Sequence, residues 1–207
     1  MSKKFDSEKL LELMKSRRDV RGNSFLSKKV DEKSIKTILA SALCAPSVGY
    51  SQPWKFVIIE DDKIKTKIYD NFQKENTKAK EIFKTKELYK KLKLEGIKEA
   101  PLNIAVLYEK PKEDVLGMTT LYKMGEYSVV CAVQNMWLMA RSLDIGLGWV
   151  SILDDTKVLN TLHLDANEYE LIAYLCLGYV DEFKDEPELK TLRWKDEKSF
   201  DDLIIKL

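Results

Sequence analysis

Three arginines and one aspartate fall within six residues, in the run Arg17, Arg18, Asp19, Val20, Arg21 and Gly22. A guanidinium presents a rigid fork of N–H donors that grips phosphate oxygens through parallel hydrogen bonds, so three at this spacing suit a pocket for a phosphate monoester. The same run also suits a solvated basic turn, with Lys15, Arg17 and Arg18 complementing the negative C-terminal pole of a preceding helix. A second stretch with ligand-binding character is the turn Ala45 to Pro53, where Pro46, Ser47, Val48, Gly49, Tyr50, Ser51 and Gln52 offer small hydroxyls and backbone amides. Other catalytic chemistries find less support. His163 is the single histidine, has neither Ser nor Cys near it in sequence, and reads as structural. Cys44, Cys131 and Cys176 are odd in number and lack a CxxC pair, which argues against a disulfide framework or a zinc site and favours buried, inert thiols. Chemistry that needs neither metal nor histidine usually borrows a cofactor.

The elements that must carry these residues follow from periodicity. Leu10, Leu11, Leu13 and Met14 make an apolar stripe from Ser7 to Lys15, capped by Asp6 or Ser7, so the arginines follow a helix. A second helix starts from Asp31 as N-cap and places Ile35, Ile38, Leu39, Ala42 and Leu43 on one face. Trp54 to Glu60 reads as a strand with both faces covered. Residues 62–99 are dense in Lys and Glu with apolar residues at helical spacing; they read equally as a lid or as a solvated helical hairpin. Leu102 to Tyr108 is a second strand. Tyr127 to Leu143 is the most apolar helix, expected to be buried all round, in one core or across a subunit interface. Gly146 and Gly148 are expected to end it, followed by a strand through Ile152, a short helix from Asp155 to Leu162, and a strand from Glu170 to Val180. Phe200, Leu203, Ile204 and Ile205 near the C-terminus offer a surface for docking on a partner.

The 207 residues are 44% hydrophobic and 33% charged, which describes an ordinary soluble chain of one domain, 1–207, with a 62–99 insertion and a 185–207 extension. A net charge of +1 gives no global field to recruit nucleic acid or acidic lipid. The polar start, Met1 to Lys4, lacks an apolar signal core, and no run is long and apolar enough to cross a bilayer, so a cytoplasmic location is expected.

Taken in order, Arg17-Arg18-Asp19-Val20-Arg21, Ala45-Pro46-Ser47-Val48-Gly49-Tyr50-Ser51-Gln52-Pro53-Trp54 and Gly146-Leu147-Gly148-Trp149-Val150-Ser151 resemble the FMN-binding nitroreductase superfamily over essentially the whole chain. Asp19, Val48-Gly49, the segment Leu92 to Ile97, the run Tyr127 to Asn135 and the run Ala173 to Val180 resemble more narrowly its 5,6-dimethylbenzimidazole synthase branch, enzymes that fragment reduced FMN to make the lower ligand of vitamin B12. The resemblance implies an α+β fold with a central, mainly antiparallel sheet flanked by helices, in an intertwined homodimer with FMN sites at the interface. It implies that Arg17, Arg18 and Arg21, with Arg193, hold the FMN phosphate, with Asp19 and Val20 beside them. It sets the flavin ring against Pro46, Ser47, Val48, Ser51 and Gln52, with Leu94 from the lid and Val150 and Ser151 at the reactive edge. Asp19 is then the catalytic base and Ser151 steers protons or holds the flavin. Reduced FMN would be a substrate supplied by an external flavin reductase, with molecular oxygen as co-substrate and no metal, nucleic acid or membrane partner. An NAD(P)H-dependent nitroreductase or flavin reductase that keeps FMN intact, and a non-catalytic flavin-binding protein, are the alternatives.

Overall fold

Aspartates start four of the helices, each accepting hydrogen bonds from otherwise unpaired N–H groups of the first turn. The protein is described by a computed structural model covering residues 4–207; Met1 to Lys3, most of the polar start, lie outside the described residues. Asp6 caps α1 (Ser7–Ser16), Asp31 caps α2 (Glu32–Ala42), Asp61 caps α3 (Asp62–Ile82) and Asp154 caps α5 (Asp155–Thr161). The remaining helices are α4 (Met124–Ser142) and the single turn α6 (Glu188–Thr191).

Among the described residues four strands, β1 (Trp54–Ile59), β2 (Leu102–Glu109), β3 (Ile145–Val150) and β4 (Tyr169–Tyr179), form one antiparallel sheet in the order β1-β2-β4-β3. Trp54 lies opposite Tyr108, Leu102 opposite Leu177 and Ile145 opposite Tyr179, with a register shift between Val106 and Leu107. Alternation along the central strands divides the core. Ile104, Val106, Leu175 and Leu177 face α2 and α4, where Ile38, Val133 and Met136 are fully buried. Ala105, Leu107, Tyr174 and Cys176 face α3 and α5, where Ile68, Phe72, Val158 and Leu159 complete the second layer.

Several sequence expectations change here. The 62–99 region is no solvated hairpin. It holds one long helix, α3, whose Ile68 and Phe72 pack into the second layer, then a 3-10 turn at Glu87–Lys91 and an extended stretch in which Glu95 and Ile97 are buried. Its many charges had masked a four-residue buried stripe. Strand β1 is an edge, not a covered strand: Lys55 is exposed and Ile58 is 42% exposed. Helix α4 is not buried all round within one core: it buries Val129, Ala132, Val133, Met136 and Ala140, and Tyr127, Val130 and Cys131 form a bare stripe on its far side. Of the three thiols only Cys176 is buried; Cys44 and Cys131 are exposed. Gly146 and Gly148 do not end α4. Asp144, at φ 54°, makes that turn, and both glycines lie inside β3.

Candidate functional site

The arginine run leaves α1 as an extended segment that lies along β3. A parallel bridge joins Asp19 to Leu147, and the Val20 amide donates to the Leu147 carbonyl at 3.1 Å. The close approach requires a residue without a side chain on β3: a Cβ on Gly148 would sit 2.0 Å from the Val20 carbonyl oxygen. Two residues of β3 therefore fix the site's backbone before any ligand is considered.

The three guanidinium groups have different duties. Arg18 donates to the carbonyls of Lys15 (2.6 Å), Arg17 (2.7 Å), Lys184 (2.8 Å) and Asp185, which leaves one of its five N–H groups unspent. Burial, with Arg17 alongside, holds Arg18 below the ordinary arginine range. Arg21 donates to the carbonyls of Leu94 (3.2 Å) and Trp149 (3.3 Å) and pairs with Asp19. Arg17 lies 4.6 Å over the Trp137 ring and, among the described residues, its N–H groups meet no carbonyl or carboxylate. Trp137 in turn donates from Nε1 to the Arg18 carbonyl at 3.0 Å. An anion entering here meets one complete fork, on Arg17, and the partly spent forks of Arg21 and Arg18.

Asp19 accepts the Trp149 amide on Oδ1 at 3.0 Å and pairs with Arg21 through Oδ2. Burial pushes its carboxyl above the ordinary carboxylate value, against the opposing pull of Arg21, the Trp149 N–H and Arg17. A third of the side chain still reaches solvent. Two cavities flank this pair. One of about 180 Å³ is lined by Arg17, Asp19, Arg21 and Leu92 to Leu94; the other, of about 490 Å³, by Arg18, Asp19, Val20, Arg21 and the segment from Glu182 to Leu192. Leu94 and Val20 thus join the cluster.

The remaining sequence candidates lie elsewhere. Pro46, Ser47, Val48, Ser51 and Gln52 line neither cavity. Their turn is held at the N-terminal half of α4, where Val48 donates to Ser128 Oγ at 3.1 Å, while Arg17 sits on Trp137 nine residues along the helix, about 14 Å away at 1.5 Å per residue. The turn is tightly wound: Gln52 donates to Ser47 Oγ at 3.1 Å, and Gly49, Tyr50 and Gln52 are all left-handed. Val150 is buried at the end of β3 and Ser151 is exposed just beyond it, neither lining the two cavities. Arg193, exposed and at φ 52°, lines neither cavity. Sequence reasoning missed Trp137 as the platform for Arg17, and it missed the Lys184 and Asp185 carbonyls that occupy Arg18. Trp137 lay inside an apolar helix that gave no separate signal, and carbonyl acceptors have no side-chain signature.

The chain belongs to the nitroreductase family, whose model matches residues 14–179. Among curated relatives, a 5,6-dimethylbenzimidazole synthase of Rhodospirillum rubrum is 40% identical over 88% of this chain and 87% of its own. One from Rhodobacter capsulatus is 31% identical over 90% and 91%. Among solved structures, iodotyrosine deiodinase bound to FMN and 3-iodo-L-tyrosine superposes with a TM-score of 0.68 at 26% identity, covering 84% of this chain and 91% of its own. A nitroreductase-like protein of Bacillus cereus matches in fold with a TM-score of 0.69 over 100% and 98% of the two chains.

No helix among the described residues is long and apolar enough to cross a membrane. Among them, too, no three His, Cys, Asp or Glu side chains are grouped as a metal site.

Proposed function

We propose that this protein is an oxidoreductase of the 5,6-dimethylbenzimidazole synthase type, acting on reduced FMN. The relatives named above support the reaction class, and the observation that carries it to the site is the sharing of one cavity by Arg17, with its free fork, and Asp19, with its raised carboxyl. The donor set fits a flavin mononucleotide, because its phosphate is the anion an unspent guanidinium would take. When bound, reduced FMN with molecular oxygen supplies the chemistry that yields 5,6-dimethylbenzimidazole and erythrose 4-phosphate.

The chain's own residues have separable tasks in this reading. Arg17 donates to the phosphate, with Arg21 adding charge while holding Asp19 in place. A carboxylate offers about four acceptor sites, so the Trp149 N–H and Arg21 leave room for Asp19 to take a proton. A raised carboxyl is a better match to that duty than an ordinary one. Ser151, exposed at the end of β3, can donate to or accept from the ring edge.

The Pro46 to Gln52 turn is contributed, in this proposal, by a second copy of the chain in a homodimer. Support comes from its distance from Arg17, from the bare stripe of α4, and from the exposed Leu10, Leu11, Met14, Phe200 and Ile205. Oxygen is the co-substrate and a separate flavin reductase the supplier of reduced FMN. The three free thiols support work in a reducing, cytoplasmic compartment.

The test is to mix the protein with reduced FMN and air and to look for the benzimidazole by mass spectrometry. Asp19→Asn is expected to keep FMN binding and lose the product. Recovery of intact FMN, with rapid anaerobic bleaching of the bound flavin by NADPH, would instead make the protein a nitroreductase.

A further inference from the structure

From Asp181 to Leu207 every residue is exposed except two, Phe183 and Trp194, which are half-buried. Between them the chain crosses the arginine cluster. Its two ends are held by different physics. At the Phe183 end, Arg141 lies 4.1 Å over the ring, Asp181 donates to the Ser24 carbonyl, and Arg18 takes the Lys184 and Asp185 carbonyls. Hydrogen bonds to Ser24 and from the Arg18 side chain, with Arg141 over the ring, therefore pin that end to the arginine segment and α4.

The Trp194 end is held by rings. Trp194 meets Phe83 edge-on with centroids 5.7 Å apart and Tyr89 at 6.2 Å, and Lys86 sits 4.1 Å over its indole. Phe83 and Tyr89 stack on each other at 4.8 Å, and the Tyr89 hydroxyl donates to Asn76 on α3 at 2.9 Å, so the platform itself is fixed. Trp194 thereby joins the C-terminal segment to the 83–94 segment. Arg17, Asp19 and Arg21 lie in the cavity between the two, with Leu94 on one side and Glu188 on the other. The crossing segment is acidic there: the charges of Asp185 and Glu186 act on Arg18, and that of Glu188 acts on Asp19.

We propose that residues 182–194 are a strap across the arginine cluster, pinned at Phe183 and latched at Trp194, and that a phosphate monoester must lift it to reach Arg17. Trp194 is a positioning residue: it touches neither Arg17 nor Asp19 and acts by setting how often the strap is open. Closed, the carboxylates of Asp185 and Glu186 supply counter-charge to Arg18 at the edge of the cluster; open, the ligand's phosphate supplies it. This inference rests on the flavin reading of the site, and FMN is the probe.

Stopped-flow quenching of FMN fluorescence separates the two. Loss of the ring contacts in Trp194→Ala is expected to raise the association rate by about tenfold and leave dissociation from the already open complex within roughly twofold, while Trp194→Phe, which retains a ring, stays within roughly twofold of wild type in both. Without ligand, hydrogen exchange in Trp194→Ala should rise in 187–194 and in 83–92 together, with the sheet unchanged, which separates unlatching from misfolding. FMN binding at the same rates in all three proteins, or exchange that rises in only one of the two segments, overturns the strap. Absence of FMN binding to the wild-type protein overturns the flavin reading and the ligand assigned here with it.

Discussion

Replacing Gly148 by Ala tests the clamp that sets the site. The added Cβ would lie 2.0 Å from the Val20 carbonyl oxygen, a backbone atom that cannot swing aside as a side-chain tip would. The arginine segment must then move off β3 by about 1 Å to reach even a tight contact. Two hydrogen bonds span that gap, Val20 N–H to Leu147 O at 3.1 Å and Trp149 N–H to Asp19 Oδ1 at 3.0 Å, and such a shift takes both beyond hydrogen-bonding range. A neutral bond contributes ~1 kcal/mol and one to a charged group ~1.5–3, so the loss should be about 2–4 kcal/mol. With a urea m-value of ~2–3 kcal/mol per molar, the unfolding midpoint should fall by ~1 M. Gly146→Ala is the internal control, because its Cβ meets only side-chain atoms, Val180 Cγ1 at 2.5 Å and the Val20 methyls from 3.0 Å, which can shift. Urea melts followed by tryptophan fluorescence give both values. If Gly148→Ala melts with wild type, or falls less than Gly146→Ala, the segment is not clamped as described and Asp19 has no fixed position on β3.

Arg17→Ala should weaken FMN by about 10- to 100-fold while leaving riboflavin, which lacks the phosphate, nearly unchanged; equal losses for both ligands in fluorescence titrations would remove Arg17 from the phosphate. Asp19 is raised by burial above 3.8, so its contribution to stability is full below pH 3.8 and is lost as pH rises through its folded value; the stability of wild type relative to Asp19→Asn should decline from pH 4 toward neutrality in urea melts. Asp31 shifts the opposite way. Hydrogen bonds from Ser34, on side chain and backbone, and from Tyr179 hold it down to about 2, so its contribution is present above pH 3.8 and lost as pH falls through 2; Asp31→Ala should flatten the acid limb between those values. Burial pushes the Cys176 thiol up, so a thiol reagent should label Cys44 in the native protein and Cys176 only on unfolding, as read by peptide mass spectrometry.

Much of the fold was legible because its signals are local. Asp31 with the i, i+3, i+4 face behind it marked α2, and runs of β-rich residues marked all four strands to within a few positions. The errors arise where a residue serves something distant in sequence. Gly146 and Gly148 look like a helix stop beside α4, but both lie inside β3, and Gly148 is small because the arginine segment, about 130 residues earlier, presses on that strand. Arg18 looks like one of three equal phosphate ligands until the carbonyls of Lys184 and Asp185 arrive from the other end of the chain. Helix α3 looks solvated by composition because only Lys65, Ile68, Asn71 and Phe72 are buried, and one of those four is a lysine whose ammonium donates to the carbonyls of Ala100 and Pro101. Asp19 was legible as a carboxylate among arginines; its attachment to β3 was not.

The strand order carries a consequence for biosynthesis. β4, the last strand to be made, is the neighbour of both β2 and β3, so until Tyr179 has left the ribosome those two have no shared partner and each shows unpaired N–H and C=O groups along an edge. The nascent chain therefore carries the makings of both core layers through most of translation with no way to close either.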